Sequence, residues 1–362
     1  MAPPHTEDTL IQSQGSLVHR VEQLDLKHIA RKQGKYIVFP ETKYPELESF
    51  EHHDPGHKAD PAKNSLYNNA EKIFDLTPHI GTEVHGLQLS QLTDQQKNDL
   101  ALLVAERGVV FFRNQDITPH QGVELGRYFG RPHIHNTFGH PEGLPELHII
   151  YFDENSSTKG YEHLSFADIW HTDVSYEVQP AGLTFLKIDT LPEVGGDTLW
   201  ASGYAAYEKL SPAFQKFLEG LEAVHSGQHQ IDEAVAQGRP VRRRIVESIH
   251  PVVRTHPVTG WKSLYVQPYF TRRIVGLSPK ESTAILNYLY QLIATSADFQ
   301  VRFKWTEDSV AVWDNRVTFH NAIFDYLGSG KRHGWRVTPQ AEKPYLDPNS
   351  KSKKEALQEK KA

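Results

Sequence analysis

The chain contains no cysteine. That absence removes disulfides, thiolate nucleophiles, iron–sulfur clusters and cysteine-ligated zinc together. Any metal must then be held by nitrogen and oxygen donors. Long apolar runs are missing too: nowhere do roughly 18 apolar residues follow one another, so no transmembrane helix is expected. The first 30 residues lack the apolar centre of a secretory signal, and the terminal EKKA is neither a retrieval nor a peroxisomal signal. Nor is there an excess of positive charge. Lys+Arg number 39 against 45 Asp+Glu, a formal charge of −6, whereas a nucleic-acid binder usually shows a basic stripe. The expectation is a soluble, cytoplasmic protein with no nucleic-acid or membrane partner. Whether it forms a homo-oligomer is not legible.

What is present is enough chain for a sizeable core. The 362 residues are 38% hydrophobic and could make one large domain or two ordinary ones. Residues 1–70 are polar and rich in His, Pro and charge, with one plausible strand at Lys35–Phe39. They read as an extension that wraps the core or is partly mobile. Within it, Glu51–Lys58 (EHHDPGHK) looks metal-like, but nothing spaces its ligands on one face, so a solvated loop is the better reading.

Regular elements begin near Ile73. Thr93 with Gln96 has the capping-box form, Leu100, Leu103 and Val104 follow at helical spacing, and Gly108 closes the helix. Val109–Phe112 reads as a buried strand. Thr118-Pro119 opens a second helix, closed by Gly130. Ser211-Pro212 opens a third, with Phe214, Phe217, Leu218 and Leu221 as its core stripe. Ser278-Pro279 with Glu281 opens a fourth, with Ile285, Leu289, Leu292 and Ile293 inward. Between them lie strand-like runs at Leu183–Ile188, Thr198–Trp200, Leu264–Val266, Val310–Trp313 and Arg332–Thr338. The pattern predicts a mainly β fold, an antiparallel sandwich or barrel with helices packed outside. The stretch 71–345 is read as that domain, 346–362 as a charged, disordered tail, and Arg242–Arg244 as a solvated loop.

The chemistry centres on Trp170-His171-Thr172-Asp173. On a strand, residues i and i+2 share a face, so His171 and Asp173 would aim an imidazole and a carboxylate at one point. His320, ending Trp313–His320 (WDNRVTFH), can supply a second imidazole from another strand. Two histidines and a carboxylate on one side of a metal form the facial triad of non-haem iron(II) oxygenases, with the other side open. His-X-Asp alone is weak evidence among 21 histidines. Downstream, Arg332 and Arg336 share one strand face and His333 and Trp335 the other. Two inward guanidiniums call for two anions.

These motifs have ordered company. Trp170–Tyr176 (WHTDVSY), Gly195–Trp200 (GGDTLW), His250–Pro257 (HPVVRTHP), Trp313–His320 and the paired arginines together resemble the taurine/alpha-ketoglutarate dioxygenase family, from about Ile73 to about Lys343. The resemblance implies a double-stranded β-helix, or jelly roll. It also implies Fe(II) on His171, Asp173 and His320, and 2-oxoglutarate held by Arg332 and Thr198, with O2 as oxidant. His135 and Arg336 correspond to the sulfonate contacts, and Phe270 to an aromatic wall. Phe138 and Ala167 stand where taurine enzymes place a tyrosine and an asparagine near the substrate amine. That departure puts taurine in doubt and favours a sulfonate or alkyl sulfate with an apolar body, because a site lacking polar partners discriminates strongly against a group that needs them. The implied reaction hydroxylates the carbon bearing sulfur or sulfate. It releases sulfite or sulfate and an aldehyde, with succinate and carbon dioxide as coproducts. Residues 1–70 have no counterpart in compact bacterial members. Two alternatives stay open on the residues alone: the same chemistry on a carboxylate such as an amino acid or aryloxy acid, and a zinc hydrolase or non-catalytic metal-binding jelly roll.

Overall fold

The computed structural model describes residues 39–154, 156 and 165–360. The strand expected at Lys35–Phe39 lies outside that range except for Phe39, which joins no strand. Ten strands carry the architecture: Lys72–Asp75 (β1), Thr82–His85 (β2), Val109–Phe112 (β3), Leu147–Phe152 (β4), Leu183–Thr190 (β5), Thr198–Ser202 (β6), Gln300–Phe303 (β7), Ser309–Asp314 (β8), Thr318–Ala322 (β9) and Arg332–Val337 (β10). Seven form a major sheet in the order β1-β2-β3-β8-β5-β10-β4, and three form a minor sheet in the order β7-β6-β9. Pairing is antiparallel throughout except between β2 and β3. The fold is mainly β with helices outside, the jelly-roll layout expected, although neither sheet closes into a barrel.

Period two explains why β3 and β8 are buried along their whole length. Val110, Phe112, Val310 and Val312 pack with Leu100, Leu103 and Val104 of the helix Asp94–Arg107 (α1). Their neighbours Val109, Phe111, Ala311 and Trp313 turn the other way. They meet Trp200 of β6 and Val301 and Phe303 of β7 between the sheets. Strand β10 divides the same way. Trp335 and Val337 join the helix-side cluster, which leaves Arg332, Gly334 and Arg336 on the inner face. Helix Pro119–Phe129 (α2) lies against that outer face so closely that a Cβ on Gly122 would sit 2.3 Å from the Trp335 ring.

The expected helix boundaries hold where a cap dictates them. Thr93 and Gln96 form a capping box on α1, as do Thr118 with Gln121 on α2 and Ser278 with Glu281 on Pro279–Thr295. Each satisfies two backbone donors at the helix start. Other expectations need correction. Phe217, placed in the core stripe of the helix Pro212–Glu219, is 44% exposed beside Phe214; only Leu218 there is fully buried. The strand expected at Leu264–Val266 runs instead over Lys262–Leu264, because its partner is the three-residue strand Val253–Thr255.

The described parts of the polar ends, residues 39–70 and 346–360, are also more ordered than their composition suggested. The charged tail continues past Asp347 as a bonded segment. Lys262 donates its backbone N–H to Lys351, and Ser352 caps a helix over Lys353–Glu359. The Lys353 ammonium lies over the rings of Trp261 and Tyr204 and donates to the Glu106 carbonyl. Its long stem covers apolar surface that few apolar residues mark in the sequence. In the extension, Phe50 exchanges two hydrogen bonds with Gln179. Asp54, read as part of a solvated loop, is buried and bonds Arg316 at 2.6 Å. Arg316 also holds Asp314 and Glu342, while His256 lies 2.9 Å from Asp314. A buried ion set of this kind becomes costly when one member is removed. Asp54→Ala is therefore expected to lower unfolding stability by about 3 kcal/mol, read as a lower urea midpoint. An unchanged midpoint would contradict the buried assignment.

Candidate active site

The two histidines of the expected triad are paired through backbone. His171 donates its N–H to the His320 carbonyl at 3.1 Å, and His320 returns one to His171 at 2.8 Å. This single antiparallel bridge adds His171 to the edge of β9. The strand expected through His171–Asp173 is thus reduced to one residue. The chain turns at once, and Val174 takes the left-handed conformation at φ 46°. Asp173 enters that turn with its backbone N–H held by Asn315 Oδ1 at 2.9 Å. The two donors still converge, because the turn begins only at Asp173.

His171 Nε2 lies 3.9 Å and His320 Nε2 3.7 Å from Asp173 Oδ1. Among the described residues, these three side chains form a cluster whose donor atoms all lie within 4.8 Å of one another. His171 Nδ1 is 2.8 Å from the Ile169 carbonyl, which puts its proton there and leaves Nε2 as a lone-pair donor. Burial pushes both imidazoles down, that of His320 far down, so both are neutral at ordinary pH. Burial pushes the Asp173 carboxyl up, but Arg336, His320 and His171 outweigh it and hold the group below the usual range. Two neutral imidazoles and one carboxylate suit a divalent ion with open positions.

Two guanidiniums flank this cluster, Arg336 partly buried and Arg332 buried. Arg336 donates to Asp173 Oδ1 at 2.8 Å and to His148 Nδ1 at 2.9 Å. Arg332 is 4% exposed and its Nε has no partner. Among the described residues no carboxylate pairs with it; Asp197 instead bonds Arg302. A buried cation without an anion is costly, so this surrounding fits an incoming carboxylate. Gly195 and Gly196 both take positive φ, 88° and 76°, as the tight turn requires. The second lies so near that a Cβ would sit 3.3 Å from Arg332 Cδ. Thr198 follows, its hydroxyl accepting from Trp305 Nε1 at 3.0 Å, and the Arg332 guanidinium sits 6.0 Å from that indole ring.

His135, Phe138 and Phe270 join the same region. His135 is buried with its ring 4.2 Å from Phe138 and 5.3 Å from His148. Phe270 is buried 6.2 Å from the His171 ring, and Tyr269 is nearer at 5.3 Å. Ala167 is exposed on the 3-10 turn Phe166–Ile169 and offers no polar group. Arg242–Arg244, expected to be solvated, is so only at Arg244. Arg242 donates to the His135 and Phe138 carbonyls, and Arg243 is buried against Glu177, His133 and Asn136.

Sequence reasoning missed His148, which carries no motif, and Asn315 and Thr184. Asn315 lies inside the quoted WDNRVTFH run. Its side chain accepts from Asp173 N and Trp313 Nε1 and donates to Gly182 and Thr184, and Thr184 donates to Asp173 Oδ2 at 3.0 Å. Such outer partners orient metal ligands. Asn315→Leu is expected to weaken ferrous affinity by about 10–100-fold, measured by anaerobic titration. Unaltered affinity would show that Asp173 needs no such support.

Comparison with known proteins agrees with this geometry. Residues 72–338 match the model of the taurine catabolism dioxygenase TauD, TfdA family. The chain is 42% identical over 347 residues to the alpha-ketoglutarate-dependent sulfonate dioxygenase of Saccharomyces cerevisiae, covering 90% of this chain and 82% of that one. It is 34% identical over 280 residues to an alkylsulfatase of Acinetobacter baylyi, 74% of this chain and 84% of that one. A crystal structure of a taurine dioxygenase from Burkholderia xenovorans superposes with TM-score 0.66 at 35% identity, covering 77% of this chain and 93% of that one. With an open triad beside two guanidiniums, the chain belongs to the TauD/TfdA family and is an iron(II)- and 2-oxoglutarate-dependent dioxygenase.

Proposed function

We propose that the enzyme hydroxylates the carbon bearing the sulfonate or sulfate group of a small organic anion with an apolar body. The observation that carries this reading is Arg336, a partly buried guanidinium bonded both to Asp173 and to His148. An anion bound there lies beside the triad, with the carbon next to it close to the oxidising centre. The names of the Saccharomyces and Acinetobacter relatives, one for sulfonates and one for alkyl sulfates, support the substrate class.

In this reading His171, Asp173 and His320 hold iron(II), and Arg332 with the Thr198 hydroxyl binds the far carboxylate of 2-oxoglutarate. Iron, 2-oxoglutarate and oxygen together supply the hydroxylating power, with succinate and carbon dioxide as coproducts. The protein's own residues orient and match charge. Arg336 and His135 fix the substrate's anionic end, and Phe138 and Phe270 wall its apolar body. The hydroxylated product loses sulfite, or sulfate from an ester, and leaves an aldehyde. Taurine fits less well, since Phe138 and Ala167 give its ammonium no hydrogen bonds, and omissions of this kind can cost a factor of about 10⁴.

The same reading predicts that turnover of an alkanesulfonate or alkyl sulfate panel, with iron(II), oxygen and 2-oxoglutarate, releases sulfite or sulfate. Succinate formed only with carboxylates would overturn the substrate class and leave the chemistry. Asp173→Ala is expected to abolish turnover, and persistent activity would remove Asp173 from the ligand set. Arg332→Lys should chiefly raise the KM for 2-oxoglutarate and Arg336→Ala that for the sulfonate. The reverse pattern would exchange their roles.

A further inference from the structure

Two neutral imidazoles meet beside Arg336, and hydrogen bonds fix which nitrogen of each carries the proton. A neutral ring has one N–H, and where one nitrogen accepts, the other must donate. His135 Nδ1 lies 3.2 Å from the backbone nitrogen of Thr137 and 3.3 Å from that of Phe138. Both are donors, so His135 is protonated at Nε2. His148 Nδ1 lies 2.9 Å from Arg336 Nη2. A guanidinium only donates, so His148 too is protonated at Nε2. Both rings are buried, and burial with the nearby arginines keeps them uncharged. They stand 5.3 Å apart with Phe138 against both, stacked on His148 at 4.2 Å. Arg336 itself keeps a buried Nε with no partner.

We propose that His148 is a further specificity-determining residue, whose Nε2–H joins that of His135 and the guanidinium of Arg336 in a cradle for a three-oxygen anion. This rests on the function proposed above and narrows it. A sulfonate or sulfate monoester presents three oxygens in a pyramid, one for each donor group. A carboxylate presents two in a plane, which one arginine fork satisfies. It would leave an imidazole N–H buried and unpaired, and unpaired buried donors are what a site selects against. Strand register puts His148 on the inner face, beside Arg336. It faces Arg336 across the β4–β10 pair, and its neighbours Leu147 and Ile149 point outward into the helix-side core.

The test compares pentanesulfonate with hexanoate on the iron-loaded enzyme, using anaerobic calorimetry for binding and sulfite or succinate for turnover. His148→Leu is expected to weaken pentanesulfonate about tenfold, roughly the loss of one such hydrogen bond, and to bind hexanoate at least as tightly as the wild type, since the unpaired N–H is gone. His148→Gln, which keeps an N–H near the Nε2 position, should recover part of that loss. Nitrogen-15 histidine spectra of the wild-type protein should show both rings protonated at Nε2. Equal loss for both ligands, no loss for either, or an Nδ1-protonated His148 would overturn the inference. A wild-type enzyme that binds pentanesulfonate but ignores the His148 changes defeats this inference alone. One that binds no sulfonate and releases no sulfite defeats the proposed function with it.

Discussion

The backbone pairing of His171 with His320 is the constraint on which the rest of the site depends. Two hydrogen bonds lock residues from distant parts of the chain at ladder spacing, with ring centroids 4.0 Å apart. Ligand convergence is thereby set by main chain, which has little freedom to drift, rather than by rotamers alone. His320 inherits its position from β9, which pairs with β6, so the same small sheet that carries Thr198 also carries the proposed metal donor. The turn after Asp173 then directs the chain away, and among the described residues no further His, Asp or Glu joins the cluster.

Charge is arranged around that frame with little left over. Asp173 is buried and compensated by Arg336, while among the described residues no carboxylate pairs with Arg332. Further out, Arg316 gathers Asp54, Asp314 and Glu342 at the base of the turn that joins β8 to β9. The extension and the segment after β10 therefore reach, through a single guanidinium, the turn that precedes His320. Such a buried set specifies geometry more than it adds stability. Through Asp54, the described part of the polar extension is bonded into the scaffold of the site.

Much of this was legible beforehand. Capping boxes at Thr93 and Ser278, and Pro119 after Thr118, mark helix starts, because a capping side chain satisfies the first turn's donors and proline fits the first helical position. The apolar runs at Val109–Phe112 and Val310–Trp313 mark strands buried on both faces. Both inner arginines follow from period two and the triad from motif order, although His171 and Asp173 lie on a bridge and a turn and not on the strand that period two assumed. What escaped depends on long-range contact. His148 is one histidine among many until β4 meets β10, and Arg242 looks solvated until its guanidinium reaches the His135 carbonyl. Asp54 sits in a run of charged and polar residues whose local pattern says surface, and only Arg316, far along the chain, makes it core. Lys353 likewise orders the charged tail by lying over two rings that no local rule connects to it.

Anaerobic addition of iron(II) and 2-oxoglutarate to the protein probes the central arrangement most directly, followed by its visible charge-transfer absorption. Three protein donors and a vacant face predict one ferrous ion per chain and a band that appears only when both are present, lost when His320 is replaced by alanine. A metal bound with the same absorption whether or not the keto acid is added would contradict it, because the coordination sphere would then have no room for a bidentate guest.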